Sequence, residues 1–178
     1  MKKCCLLIAG LSASLALSAL AGESVLGPSD NVRISLTRGR SVSDVKGGSI
    51  GEKLADFEPV VKIQNASFKD FRGNKVCVLM MGEDATVENN WRVIYRREFD
   101  ADLIASKTLE WVGEPFKQGF DRMFAKSGYD YDGYIVIIRN SDGRAVISAQ
   151  TKPLWGKNLE KAWNMAEGSD YSKDHFKN

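Results

Sequence analysis

Of the residues able to do acid–base or ligand chemistry the chain offers mainly acidic ones, most visibly in the short run Asp130-Tyr131-Asp132-Gly133. Alternating aspartates ahead of a glycine present hard oxygen atoms of the kind calcium prefers, yet one such pair falls short of the roughly six to eight ligands that ion takes. The same residue types are ordinary turn formers ahead of a strand, and a turn is the expectation here. Tyr129 and Tyr131 interleave with Asp130 and Asp132, so the run also offers aromatic contact area beside orienting carboxylates. A loop-like acidic setting keeps such rings from full burial, which makes Tyr129, Asp130, Tyr131 and Asp132 the candidate binding residues.

Most other chemistry lacks its residues. Histidine-based hydrolysis would depend on His175, the only histidine, which lies in a polar tail. Cys77 sits inside the run Val76-Cys77-Val78-Leu79-Met80-Met81, where cysteine behaves as a small buried apolar group. A nucleophilic thiol needs exposure and a nearby cation instead. One histidine and one cysteine outside the amino-terminal leader do not make an ordinary zinc site, and no phosphate-cradling glycine loop is present. Paired carboxylates for glycoside hydrolysis are recognised by their facing geometry, which a sequence does not carry. The expectation is a protein that is not an enzyme, with no catalytic residues, no cofactor and no metal.

Aromatic residues leave a second reading open, a carbohydrate-binding module with a glycan as partner. It needs at least two coplanar exposed rings. Trp91 and Trp111 lie in strand-like alternation and Trp163 on a helix face, which points these three to the core. The exposure of Tyr129, Tyr131 and Trp155 decides between the readings.

The chain opens with Met1, Lys2 and Lys3, continues with an apolar run from Leu6 to Leu17, and reaches Ala19-Leu20-Ala21. This is the layout of a secretory signal peptide, residues 1–21, cut after Ala21. The apolar run is shorter than the roughly 20 residues of a membrane span and is diluted by Ser12, Ser14 and Ser18, so no transmembrane segment is expected after processing. Cys4 and Cys5 precede the run and would leave with it, which argues against a lipid anchor. Removing 21 of 178 residues leaves 157, the size of one domain with an adequate core. Lys2 and Lys3 leave too, so 25 basic residues become 23, against 23 acidic ones. That balance gives no electrostatic footprint for nucleic acid. Only Cys77 remains, so stability must come from packing without an internal disulfide, even in an oxidising exported setting. Periplasm, outer envelope surface and secretion remain equally open.

The elements that must hold the candidate residues read mostly as strands. Residues 22–56 are rich in Gly and Ser and form an arm with a first strand, in which Val32, Ile34 and Leu36 alternate with polar residues. Residues 57–168 form the main domain. Val60, Val61 and Ile63 make a strand near an edge, because Pro59 removes a ladder donor. Val76 to Met81 is apolar on both faces, as a central strand requires. Trp91, Val93, Tyr95 and Phe99 mark a half-buried strand whose apolar face Arg97 breaks. Within Leu103 to Val112, Leu109 and Trp111 favour a strand, while Leu103 and Ile104 fit either period. Phe116, Phe120, Met123 and Phe124 fit a helical stripe opened by Pro115 and closed by Gly128, or an irregular crossover whose aromatics plug the core. Gly133 to Asn140 and Ala145 to Ala149, joined through Asp142-Gly143, form a hairpin. Leu159, Ala162, Trp163 and Ala166 form one face of a terminal helix of about ten residues, with Asn158 to cap it and Gly168 to end it. Residues 169–178 form a flexible tail.

Short strands separated by turns favour an all-β antiparallel sandwich with a short C-terminal helix, over a mixed α+β domain. Phe57 through Ile63, Val76 through Met81 and Gly133 through Gly143 resemble small exported immunoglobulin-like β-sandwich proteins of verrucomicrobial type IV pilus-like gene clusters. The resemblance spans Phe57 to Lys152 and rests on strand and turn patterns. It implies a non-catalytic extracytoplasmic interaction domain, related in fold to archaeal pilus components, whose partner is an unidentified envelope or pilus-like protein. A pilin would keep a long apolar amino-terminal helix after processing, and none is present here. The resemblance therefore implies an accessory or surface-associated factor, and it carries over no catalytic residues.

Overall fold

A computed structural model describes residues 24–44, 52–121 and 127–177; residues 1–21, expected to be a signal peptide, lie outside them. In chain order the strands are β1 (Val32–Thr37), β2 (Ser41–Asp44), β3 (Glu52–Phe57), β4 (Val60–Asn65), β5 (Phe71–Asp84), β6 (Asn90–Leu103), β7 (Thr108–Val112), β8 (Phe116–Asp121), β9 (Ser127–Arg139), β10 (Ala145–Gln150) and β11 (Asp170–Ser172). One helix, α1 (Leu159–Trp163), and two 3-10 turns, Pro153–Gly156 and Lys173–Phe176, complete the described elements. The order β1-β4-β7 forms one sheet, and β11-β6-β5-β9-β8-β3-β2, with β10 also beside β9, forms the other. Every pairing is antiparallel. The all-β sandwich expected from the strand and turn spacing is what the structure shows.

Strand β5 is the centre of the molecule, paired with β6 on one edge and β9 on the other. Its alternate side chains serve two separate cores. Val76, Val78 and Met80 join Phe57, Val61, Ile63 and Tyr95 toward the three-stranded sheet. Cys77, Leu79 and Met81 join Trp91, Trp155, Trp163 and Phe176 under the carboxy-terminal segment. This double coverage is why the run from Val76 to Met81 contains no polar alternation. Burying each of its large side chains contributes about 1.5–3 kcal/mol.

Two register steps reassign faces along the neighbouring strands. Met80 pairs with Tyr95 but Met81 with Val93, so Ile94 is an extra residue in β6. Trp91 and Val93 consequently face the second core while Tyr95, still in step by sequence parity, faces the first. The alternation from Trp91 to Phe99 is therefore two faces rather than one. Arg97 does not interrupt packing, because its guanidinium lies over the Tyr95 ring at 4.8 Å.

Several sequence expectations are corrected. Strand β4 is the middle of its sheet and not near an edge. Pro59 stands just before it and costs no ladder bond, while its carbonyl accepts the Gly113 N–H at 2.8 Å. The Phe116 region is strand β8, since β3 offers it a full ladder from Phe57↔Phe116 to Glu52↔Asp121. Phe116 stacks with Phe57 at 4.9 Å and with Tyr95 at 4.7 Å; Phe124 lies outside the described residues. The arm contains β2 and β3 as well as β1, because pairing with β8 overrides the local Gly and Ser content. Asn158 caps α1 through its Oδ1, which accepts the Lys161 N–H at 3.0 Å, but the helix has five residues and not ten. Met165 is buried in place of Ala166. The tail, expected to fray, pairs as β11 with β6, and Phe176 is fully buried against Trp91.

The hairpin β9–β10 follows its sequence signal. Gly143 takes φ +79°, and Asn140 closes the turn with backbone bonds to Arg144 and Gly143 at 2.9 Å each.

Candidate functional site

The run from Tyr129 to Asp132 is not a loop. It is the first half of β9, and Glu83 and Asp84 of β5 pair with Asp130 and Tyr129. Asp132 stands at the second register step, where Met81 pairs with Gly133 but Gly82 with Tyr131. A bulged residue is re-aimed, and here Asp132 turns toward the second core. Trp91 Nε1 donates to Asp132 Oδ2 at 2.7 Å. Lys152 forms an ion pair with the same oxygen, and its ammonium sits 5.0 Å from the Trp91 ring centroid. Gly133 is a close-approach glycine rather than a turn glycine: a Cβ there would meet Thr151 and Trp155 at 2.7–2.8 Å.

The other three candidate side chains are also engaged. Asp130 pairs with Arg40 at 3.0 Å, with both side chains mostly covered. Tyr131 packs on Phe57, ring centroids 5.4 Å apart, and the Arg38 guanidinium lies 4.3 Å above its ring. Burial pushes the Tyr131 hydroxyl above its usual range, with Arg38 opposing. Tyr129 lies under Arg92 at 4.2 Å and hydrogen-bonds Asp170, whose carboxylate also takes Arg92 Nε and Nη2 at 2.8 and 2.9 Å. These contacts tie the β1–β2 connection, the 3-10 turn at Pro153 and strand β11 to one strand. The arrangement is a clasp: Arg40, Lys152 and Arg92 pair with Asp130, Asp132 and Asp170, Arg38 lies on the Tyr131 ring, and the two tyrosine rings are half-buried.

The chemistry of the remaining candidates is equally confined. Cys77 is fully buried, and burial pushes its thiol up to about 12 from a usual 9.0, against the lowering pull of Arg96 and Arg139. A thiol so far from ionising is a packing group. His175 is not in a mobile tail; its ring packs between Tyr171 at 4.7 Å and Phe176 at 5.2 Å. Trp155 is fully buried and Trp91 2% exposed, so neither offers a platform for a sugar. Among the described residues, no group of three or more His, Cys, Asp or Glu is arranged to hold a metal ion. No helix among them is long and apolar enough to cross a membrane.

What sequence reasoning missed lies at β7. This strand pairs with β4 on one side and with no other described strand on the other. Lys107 O accepts from Asn65 N and Gly113 N donates to Pro59 O, so the odd-numbered backbone groups face β4. Antiparallel alternation then turns the N–H and C=O of Thr108, Glu110 and Val112 outward. Their side chains are exposed, Val112 at 56%, while Leu109 and Trp111 point inward and Trp111 stacks on Phe99 at 4.6 Å. The alternation Thr-Leu-Glu-Trp-Val was the available signal for the strand, but nothing in it marks an edge.

No protein-family profile matches the chain, and no curated protein matches it in sequence. Among solved structures, a crystal structure from Akkermansia muciniphila is similar at 15% identity and a TM-score of 0.35, covering 85% of this chain and 90% of that one. A GH3 β-glucosidase from Bifidobacterium adolescentis aligns at 14% identity and a TM-score of 0.25, covering 68% of this chain. A β-glucosidase from Streptomyces venezuelae aligns at 13% and 0.24, also over 68% of this chain. The chain spans 17% and 15% of those two enzymes. Likeness at this level assigns no activity.

Proposed function

We propose that this protein is an exported, non-catalytic interaction domain that receives an extended segment of a partner along β7, as an accessory factor in pilus-like or envelope assembly. The observation that carries this reading is the outward row of backbone groups at Thr108, Glu110 and Val112, which no described strand pairs. A partner strand laid there gains main-chain hydrogen bonds, and its alternate side chains read the exposed row. The engagement of Tyr129, Asp130, Tyr131 and Asp132 within the fold supports edge pairing over contact through that run. The envelope setting rests on the amino-terminal leader and on the resemblance carried by the runs from Phe57, Val76 and Gly133.

Glu110→Pro tests it. Proline removes an N–H that faces outward and leaves the bonds to β4 in place, so the fold should persist. Capture of the envelope partner by the exported protein should drop at least about tenfold, the scale of a lost central contact. Undiminished capture by a folded Glu110→Pro variant would remove the edge from the reading.

A further inference from the structure

Strand β6 runs for 14 residues, and β11 pairs with the outer edge of only its first three, Asn90, Trp91 and Arg92. Just beyond them the Val93 N–H donates to Ser169 O and the Val93 carbonyl accepts from Gly168 N, and the Arg96 N–H donates to Glu167 Oε2 at 3.1 Å. The Arg96 bond points away from β5, whereas the Ala101 carbonyl, which accepts from Asn74 Nδ2 at 3.1 Å, points toward it. Alternation along the strand therefore turns the N–H and C=O of Glu98, Asp100 and Asp102 outward, where no described strand pairs with them.

A strand laid on this half of the edge meets two different faces. On one, the exposed carboxylates of Glu98, Asp100 and Asp102 follow at every second position. Glu98 Oε1 accepts from Arg96, and Asp102 Oδ1 accepts from Gly73 N at 3.0 Å while keeping its charge. Asp100 has no ion pair among the described residues, although Lys75 stands opposite it in β5. Arg139, which lines the same hollow as Glu98, is paired with Glu160. Three carboxylates thus stand against Arg96 and Lys75, and the row keeps a negative excess. On the other face, Phe99 and Trp111 are stacked and half-buried where the first core reaches this flank. Arg97 beside them is held by Glu114 and Glu167, so it adds no free positive charge.

We infer that the open half of β6 receives an extended segment of a different protein, with lysine or arginine at alternate positions against Glu98, Asp100 and Asp102 and apolar residues between them against Phe99 and Trp111. The backbone row supplies the main-chain hydrogen bonds, and the two unlike faces fix which side of the segment faces which sheet. A second copy does not fit. Antiparallel pairing of two β6 edges about Asp100 sets Asp100 against Asp100 and Glu98 against Asp102, like charges directly opposite one another. Because β6 and β7 belong to different sheets, this contact and the one at β7 can each hold without the other.

Amide hydrogen exchange of the protein with a synthetic peptide of about nine residues alternating Lys and Val, long enough to span this half-strand, tests the inference. At saturating peptide the amides of Glu98, Asp100 and Asp102 should exchange at least about tenfold more slowly, and a peptide alternating Glu and Val should leave them unprotected. Asp100→Lys should weaken binding of the Lys–Val peptide at least about tenfold, read by fluorescence anisotropy of the labelled peptide. Asp100→Asn, which keeps the side-chain shape, should weaken it in the same direction by less. Absence of protection at these three amides, equal binding of the two peptides, or undiminished binding by a folded Asp100→Lys variant would each overturn the inference. Protection at Thr108, Glu110 and Val112 in place of Glu98, Asp100 and Asp102 would overturn it too, and would leave the β7 reading standing.

Discussion

Residues 129–132 and residues 108–112 are both short strand segments of alternating side chains, and they differ in what their polar groups face. The first holds two tyrosines and two aspartates, the residue types that binding sites favour, yet β9 is flanked by β5, and Arg38, Arg40, Arg92 and Lys152 close over its side chains. The second holds one threonine, one glutamate and one valine outward, with Glu110 paired to Lys62 at 2.9 Å across the exposed face. Its backbone row has no described strand opposite it. Capacity for binding follows from unspent hydrogen bonds and exposed surface rather than from residue type. The richer segment has spent its groups on holding the fold together.

The sharpest way to break that contrast is to truncate the clasp. Tyr131→Ala removes the Phe57 contact and the ring beneath Arg38. Because the ring is half-buried, the loss should fall below that of a full core aromatic, at about 2–3 kcal/mol. Urea denaturation followed by tryptophan fluorescence measures it. Glu110→Pro, by contrast, should move the same midpoint by about 1 kcal/mol or less while lowering partner capture. Equal stabilities for Tyr131→Ala and the wild type would mean the segment is free to bind after all.

Cys77 gives the next effect in size. Cys77→Ala should cost about 1–2 kcal/mol, the scale for deleting one small buried group, with no loss of binding. The pH dependence has a defined sign. Below about pH 9 the thiol keeps its proton in both states; between about 9 and about 12 only the unfolded chain ionises. Stability contributed by the neutral thiol is therefore present at neutral pH and lost as pH rises through that window. Denaturation midpoints at pH 8 and pH 10 should fall further for wild type than for Cys77→Ala, and a thiol reagent should label the folded wild type only as fast as it unfolds.

The strands that were legible in the sequence are those whose signal is local. Val76 to Met81 reads as central because six apolar residues in a row need cover on both sides, and the β9–β10 hairpin reads from Asp142-Gly143, whose glycine takes the positive φ the turn needs. The Phe116 stripe misleads because Phe116 and Phe120, four apart, share a face in a strand as well as in a helix. What settles β8 is β3, and β3 lies in a stretch whose local composition argues against order. The clasp was illegible for a related reason: Arg38, Arg40, Arg92 and Lys152 reach Tyr129–Asp132 from distant parts of the chain. Only the period of two from Tyr129 through Tyr131 into Gly133 hinted that the strand begins early. The edge at β7 depends on sheet order, which no local pattern encodes.

The smallest effect is the most specific to the clasp. Asp170 is held below the usual carboxylate range, first by the Arg92 hydrogen bonds and then by the Tyr129 hydroxyl. A carboxyl so depressed contributes stability above its ordinary pKa and loses it as pH falls through the lower folded value. The Arg92 and Asp170 side chains are 38% and 41% exposed, so solvent screens the pair and its worth is about 0–1 kcal/mol. Asp170→Asn should therefore scarcely shift the global midpoint at pH 7, and that small difference should shrink as the pH falls below the usual carboxylate range. Its local effect should be clearer, because β11 has only three residues paired with Asn90, Trp91 and Arg92. Faster amide hydrogen exchange confined to Asp170–Ser172 and the facing end of β6, with β5 unchanged, is the expected signature of a loosened clasp. Unchanged exchange there would mean that burial of Phe176 alone retains the carboxy terminus, and that the Arg92–Asp170 pair is free to be given up to a partner.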